Sequence, residues 1–453
     1  MIYREQIHNL QKWKNKPNRK PLILRGARQV GKTTLIKMFS KEFDIFIPLN
    51  LEKNDDKEIF ERHDNIETIL QLLYLRIGIA PKKLQNVLVF IDEIQNSAKA
   101  VAILRYFFEE APNIYVIATG SLLESLLAKR VNFPVGRVEF LFLYPLSFRE
   151  FLRAYGNKQA FELLKTIPFP GYAHKVLNSI FKEYALIGGM PEIVDHYLQN
   201  KSIASLNQIF ESLMLTYIDD VEKYASTHRQ ENIIRFIIQN AFLYAGQRIK
   251  FEGFAVSAYK SVDIAECFRL LEKTFLLQLQ YPTTSYILPI TENKKKSPKL
   301  QVLDTGMINC FAGLQTEFLN STSIDSIQNG KIAEHLVGQL LNVLYDSLLQ
   351  KNIFWVREKK QSNAEIDYVL NIQGMVIPIE VKSGKTGKLR SLMEFMDITP
   401  HTYAIRIYSD KFSINEIKTM RGKKFRLLNL PFYLISEIYN YIPLLINKQS
   451  IIE

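Results

Sequence analysis

A chain of 453 residues with 47% hydrophobic side chains can bury several cores, and its length predicts two to four domains. A formal charge of +12 and a pI near 9.3 permit contact with nucleic acid without specifying a fold. Cys267 and Cys310 are too few for a thiolate metal cluster, no apolar run approaches the ~20 residues of a bilayer span, and the N-terminus lacks an apolar signal core, so a soluble protein of the reducing cytoplasm is expected.

Ile2, Ile7, Leu10 and Trp13 fall roughly on one helical face, which predicts a short helix before a connector at residues 17–20. The apolar run Leu22-Ile23-Leu24 then leads directly into Gly26-Ala27-Arg28-Gln29-Val30-Gly31-Lys32-Thr33-Thr34. This is a strand followed by G-x-x-x-x-G-K-[ST] at the start of a helix, the pattern of a phosphate-cradling loop. The glycines let backbone amides close around phosphates, Lys32 adds a mobile positive charge, and Thr33 offers a hydroxyl to Mg2+. A bound nucleotide is therefore expected.

A second strand is expected at Ile45-Phe46-Ile47-Pro48-Leu49, followed by charged helical patterning from Asp55 to Leu75. The continuous apolar run Val87-Leu88-Val89-Phe90-Ile91 ends in Asp92-Glu93, placing two carboxylates where a doubly wound sheet opens its ligand crevice. In a Walker B role, Asp92 holds Mg2+ and Glu93 orients the attacking water. A third strand, Ile114 to Ala118, ends in Thr119-Gly120-Ser121 and is expected between the other two motif strands. Thr119 or Ser121 then meets the γ-phosphate or the water, or Ser121 simply caps the helix that follows. Between this strand and the next, Val138 to Leu143, lie Arg130 and Arg137. Either is a candidate arginine finger, with Arg137 preferred; a surface ion pair is the alternative.

The segments RGARQVGKTTL, VFIDEIQN and ATGS, the Gly136-Arg137 pair before a strand, and YPLSFREF together resemble the large prokaryotic AAA-type ATPase family that carries a fused C-terminal nuclease-like domain. The resemblance covers most of the chain. It implies an ATP-binding protein and supplies no substrate.

From Phe148 to about Lys223 helical patterning is broken at Pro168-Phe169-Pro170-Gly171 and at Gly188-Gly189-Met190-Pro191, which predicts a helical lid with structural turns. Helices over residues 232–245 and 262–273, followed by strands at Phe275 to Leu279 and Tyr286 to Pro289, fit a winged-helix module. Residues 292–299 are then a basic wing or linker able to meet phosphates, or merely a solvated loop.

The C-terminal region places Glu334 on a helix, then predicts strands at Asn352 to Arg357, Glu365 to Leu370 and Met375 to Lys382. Asp367 with Glu380-x-Lys382 resembles the PD-(D/E)xK restriction-endonuclease-like family, with Ile366 where that family usually has proline. The resemblance implies that Asp367 and Glu380 bind Mg2+ or Mn2+ beside Lys382. Residues two apart on a strand share a face, so Glu380 and Lys382 are expected to point the same way.

The expected architecture is α/β. It comprises a P-loop ATPase core over residues 1–147, a helical lid over 148–224, a winged-helix-like module over 225–298 and a nuclease-like domain over 299–453. The expected function is ATP binding and hydrolysis with Mg2+, on or near nucleic acid such as DNA, with a homo-oligomer allowed and no membrane contact. The rival reading is a nucleotide-gated switch whose C-terminal domain binds protein or DNA without cleavage.

Overall fold

The computed structural model describes residues 1–78, 86–120, 133–220, 225–320, 330–345, 350–358, 364–382 and 389–447. The chain divides into two compact units, Met1–Tyr144 with Lys273–Phe275, and Pro145–Glu272 with Leu276–Glu453.

The first unit is built on short, largely apolar strands: β1 (Leu22–Arg25), β2 (Ile45–Asn50), β3 (Val87–Asp92), β4 (Tyr115–Thr119) and β5 (Glu139–Phe142). They form a five-stranded sheet in the order β2-β3-β4-β1-β5, and every pairing is parallel. Helices over Lys32–Phe39, Asn54–Arg62, Ile66–Ile77 and Ala98–Glu109 make the crossovers that parallel strands require. The three inner strands β1, β3 and β4 are buried on both faces, which explains why they read as continuous apolar runs instead of alternating ones, while the edge strands β2 and β5 are partly exposed. The insertion of β4 between β3 and β1 brings the ends of three chemically distinct strands to one edge of the sheet.

The second unit begins with helices over Phe148–Tyr155, Lys158–Leu164, His174–Ile187, Pro191–Asn200 and Asn207–Asp219. A capping box starts the first of them: the Ser147 hydroxyl accepts from the Glu150 amide while the Glu150 carboxylate accepts from the Ser147 amide. The turn at Gly188-Gly189 is set by contact with a distant segment. A Cβ on Gly188, at φ +77°, would stand 1.9 Å from Asp304 Oδ1, and one on Gly189 would stand 2.3 Å from the Leu146 carbonyl oxygen. Asp304 accepts from the Gly189 amide at 2.6 Å, the Gly306 amide at 3.0 Å and Gln339 Nε2 at 3.0 Å, so the buried carboxylate ties the turn to the later sequence. The Gly188-Gly189 motif is thus a packing device.

Further on, helices His228–Ala241 and Ser261–Glu272 precede β6 (Leu277–Gln280), β7 (Pro282–Thr283) and β8 (Lys299–Val302). β6 and β8 pair antiparallel, joining residues on either side of the expected 298/299 boundary. The strand expected at Tyr286 to Pro289 is absent. Its proline offers no donor, and the Ser285 amide just before it turns back onto Thr283 Oγ1 at 3.0 Å.

The remaining strands are β9 (Phe354–Val356), β10 (Glu365–Ile366), β11 (Tyr368–Ile372), β12 (Met375–Val381), β13 (Tyr403–Tyr408), β14 (Ser413–Lys418) and β15 (Lys424–Pro431). They form a mixed five-stranded sheet, β11-β12-β13-β15-β14, and a small sheet, β10-β9-β7. The single strand expected over Glu365 to Leu370 is therefore two strands in two sheets, and Asp367 is the residue at which the chain passes from one to the other. A core of Trp355, Ile366, Val369, Phe395, Met396 and Leu427 holds both sheets to the helix Arg390–Ile398.

Replacing Gly188 by alanine combines a positive φ with overlap on Asp304. It is expected to cost about 2 kcal/mol or more in denaturant melts of the second unit. Gly156→Ala serves as the control. Its φ is +88° but an added Cβ meets nothing within 4 Å, so only the backbone term of about 1 kcal/mol is expected. Equal costs at the two positions would contradict the packing account.

Candidate functional site

The candidate nucleotide site grows from the carboxyl end of the parallel sheet. Gly26 leaves β1 at φ +147°, where a Cβ would stand 2.2 Å from the Leu143 carbonyl oxygen. Gly31 adopts φ +93° immediately before the helix Lys32–Phe39, so the helix amides face the loop. Arg4, which sequence reasoning passed over, is buried behind the loop; its guanidinium donates to the carbonyls of Val30 and Tyr144, each at 2.6 Å. No local pattern marks this role, because both acceptors are far along the chain.

Lys32 is buried, and its ammonium donates to the carbonyls of Gly26 at 3.0 Å and Ala27 at 2.7 Å. Burial pulls its pKa down to about 8, while Glu93 and Asp92 hold the charge and Arg28 opposes it. Asp92, at the end of β3, gathers the site. It accepts from Thr33 Oγ1 at 2.7 Å through Oδ2, and from Thr119 Oγ1 and the Glu93 amide through Oδ1. Glu93 sits at φ +53°, a backbone state that costs free energy in a residue with a side chain, and its carboxylate accepts from the side-chain Nε2 of Gln95. Of the other loop residues, Ala27 and Val30 are buried, Gln29 is exposed at φ +60° and Thr34 is exposed.

Ser121 and Arg130 lie outside the described residues. Arg137 is half exposed, and its Nε pairs with Glu109 Oε1 at 2.7 Å. This pair is on the surface of the first unit and holds the Glu109 carboxyl below its ordinary pKa. The described contacts of Arg137 are thus those of a surface ion pair.

A second cluster lies wholly within the other unit. Glu334 comes from the helix Lys331–Val343, Glu365 from β10 and Asp367 from the crossing between sheets; each offers an oxygen, and the three oxygens lie within 4.8 Å of one another. Lys299, from β8, sends its ammonium into this triad. It pairs with Glu334, with Glu365 at 2.6 Å and with Asp367 at 3.8 Å, and its side chain is only 5% exposed. Burial opposes the Lys299 charge, but the three carboxylates outweigh it and hold the ammonium above its ordinary pKa.

Alongside, Glu380 on β12 pairs with Lys382 at 2.7 Å, so these two side chains do share a face. Glu380 is 2% exposed, and its Oε2 has no hydrogen-bond partner among the described residues. Burial pushes Glu380 up to about 8 and Glu334 up to about 7, with the neighbouring carboxylates adding to both shifts. Asp367 is fixed by the Val381 amide, which donates to its Oδ2 at 2.7 Å.

Two corrections to the sequence reading follow. Lys299 belongs to the segment expected as a basic wing or linker, yet it is buried and neutralised by carboxylates and has no access to a phosphate backbone. Glu365 joins Glu334 and Asp367, although it was read only as a strand start. Its spacing of two from Asp367 was the available signal, since that spacing puts both on one side of an extended chain.

Three stretches of the chain match known protein families. Residues 18–152 match an AAA domain, 178–317 a domain of unknown function (DUF8612) and 329–429 another domain of unknown function (DUF4143). An uncharacterized protein of Haemophilus influenzae is 22% identical over 381 residues, covering 79% of this chain and 81% of that one. Among solved structures, a Walker-type ATPase of Pyrococcus abyssi is 17% identical, covers 69% of this chain and 96% of that one, and has a TM-score of 0.44. The ORC1 protein of Aeropyrum pernix, solved in complex with DNA, is 11% identical, covers 69% and 93%, and has a TM-score of 0.29. Over residues 18–152 the first unit thus matches an AAA domain. Among the described residues no helix is long and apolar enough to cross a membrane.

The depressed pKa of Lys32 makes a pH dependence for nucleotide affinity. Below about 8 the ammonium is charged and serves the phosphates; as pH rises through that value, binding must first recover the proton. Calorimetric titration with ATP is expected to give affinity roughly tenfold weaker near pH 9 than near pH 7. Lys32→Arg, whose guanidinium stays charged, should flatten the profile, and a flat profile in the natural chain would contradict the assignment.

Proposed function

We propose that the first unit binds ATP with Mg2+ and hydrolyses it, and that the second unit acts on or near nucleic acid through its carboxylate and lysine cluster. The observation that carries the ATPase reading is the hydrogen-bonded set Thr33, Asp92 and Thr119 at the mouth of a glycine loop holding Lys32. Phosphate oxygens are stronger acceptors than the Gly26 and Ala27 carbonyls, so the Lys32 ammonium exchanges one set for the other when nucleotide enters. The hard oxygens of Thr33 and Asp92 are already together and suit Mg2+, which would supply charge neutralisation on the phosphates. Glu93, released from Gln95, orients the attacking water, and Thr119 keeps Asp92 in register. Arg137 acts as a finger only if it leaves Glu109 for a neighbouring subunit of a homo-oligomer.

In the second unit, Glu334, Asp367, Glu380 and Lys382 are the residues a metal-dependent phosphodiesterase of the PD-(D/E)xK type would use, with Glu365 beside them. The rival reading, a nucleotide-gated switch that binds DNA or protein without cutting, is favoured by one observation: Lys299 already occupies the carboxylates a metal would need. Incubation of plasmid DNA with the protein in Mg2+ or Mn2+ separates the two. Nicking that disappears in Asp367→Ala supports cleavage, and intact plasmid at every metal concentration supports the switch.

For the ATPase itself, Lys32→Ala is expected to lose tight ATP binding, and Glu93→Gln to bind ATP but lose turnover by about a hundredfold or more. Isothermal titration with phosphate-release assays reads both. Natural affinity and turnover in Lys32→Ala would overturn the site.

A further inference from the structure

We propose that the Lys299 ammonium is the resident cation of the Glu334, Glu365 and Asp367 cluster, and that a divalent cation reaches these carboxylates only by displacing it. The inference rests on reading the cluster as a cation site, as proposed above. It goes beyond that reading by assigning a competitor built into the chain.

The geometry is that of competition. Three carboxylate oxygens within 4.8 Å of one another surround one point, and an ammonium with three donors fills it, reaching Glu334, Glu365 at 2.6 Å and Asp367 at 3.8 Å. Mg2+ or Mn2+ would draw on the same oxygens at about 2.0–2.2 Å, and two cations cannot share them at that distance. Nor is Lys299 a surface chain that swings in by chance. It stands in β8 opposite Gln280, is bridged through its backbone to Arg248, and its ammonium lies 4.6 Å from the centre of the Phe354 ring.

A second observation says that the cluster still wants positive charge. Four carboxyl groups, Glu334, Glu365, Asp367 and Glu380, meet Lys299, Lys382 and, at Glu365 Oε2, Arg248 at 3.4 Å, and the buried Glu380 Oε2 has no partner among the described residues. An unpaired buried carboxylate oxygen is costly unless a donor or cation reaches it. Lys382 is committed to Glu380 Oε1, so it cannot release Lys299 from the other three carboxylates.

The test is Mn2+ binding, followed by loss of the free-ion paramagnetic resonance signal, on nucleotide-free full-length chain carrying Asp92→Asn so that the ATPase site takes up no metal. In this background Lys299→Met is expected to bind Mn2+ at least tenfold more tightly than Lys299, the gain should vanish on adding Glu334→Gln, and Lys299→Arg should stay as weak as lysine. If Lys299→Met does not fold without metal, the same titration is made on Lys299→Gln, which keeps a donor to the carboxylates but no charge. Tight Mn2+ binding with Lys299 in place, weakened by Glu334→Gln, would overturn the competition while leaving the metal-site reading intact. No Mn2+ binding in Lys299→Met or Lys299→Gln, with the fold retained by circular dichroism, would overturn both.

Discussion

The first unit depends on one carboxylate. Asp92 ends the central strand β3, and its two oxygens hold Thr33 of the phosphate loop and Thr119 of the neighbouring strand. Those three residues come from segments more than twenty positions apart, and only a parallel sheet with β4 between β3 and β1 brings them to one edge. The energetic support is the buried apolar strand set beneath it, whose close packing holds the strand ends and lets short polar side chains meet. Arg4 adds a brace from outside the sheet, tying the Val30 and Tyr144 carbonyls together.

The second unit solves a different problem, the burial of charge. Four carboxyl groups at one place are costly unless each finds a partner or a proton, and the structure meets most of that demand with ion pairs to Lys299, Lys382 and Arg248 and with the Val381 amide on Asp367, leaving Glu380 Oε2 without a partner among the described residues. The crossing of the chain from β10 to β11 at Asp367 is what aims Glu365 and Asp367 into the same space. The remote Asp304 network performs the comparable task for the glycine turn at Gly188, where a carboxylate replaces the missing side chain as the packing element.

How much of this was legible in the sequence follows from how local each signal is. The strands β1, β3 and β4 and the loop between Gly26 and Thr33 announce themselves because apolar runs, glycine spacing and terminal carboxylates are contiguous. Glu365 was half visible through its spacing from Asp367. Lys299 was not, because a lysine at the end of a lysine-rich loop looks solvated until the antiparallel pairing of β6 with β8 carries it into the interior. Arg4 was hidden for the same reason, its acceptors lying 26 and 140 residues away. Tyr286 to Pro289 failed in the opposite sense: its apolar content suggested a strand that local turn hydrogen bonding forbids.

The central claim is that Asp92 organises a Mg2+-dependent ATPase site. Its most direct test is phosphate release and ATP affinity in Asp92→Asn, measured across a range of Mg2+ concentrations. Asparagine keeps the size and one acceptor for the threonine hydroxyls while removing the charge, so the account predicts a fold that still binds ATP through Lys32 but loses Mg2+-dependent turnover by about a hundredfold or more. Turnover in Asp92→Asn equal to that of the natural chain, with the same Mg2+ dependence, would contradict it.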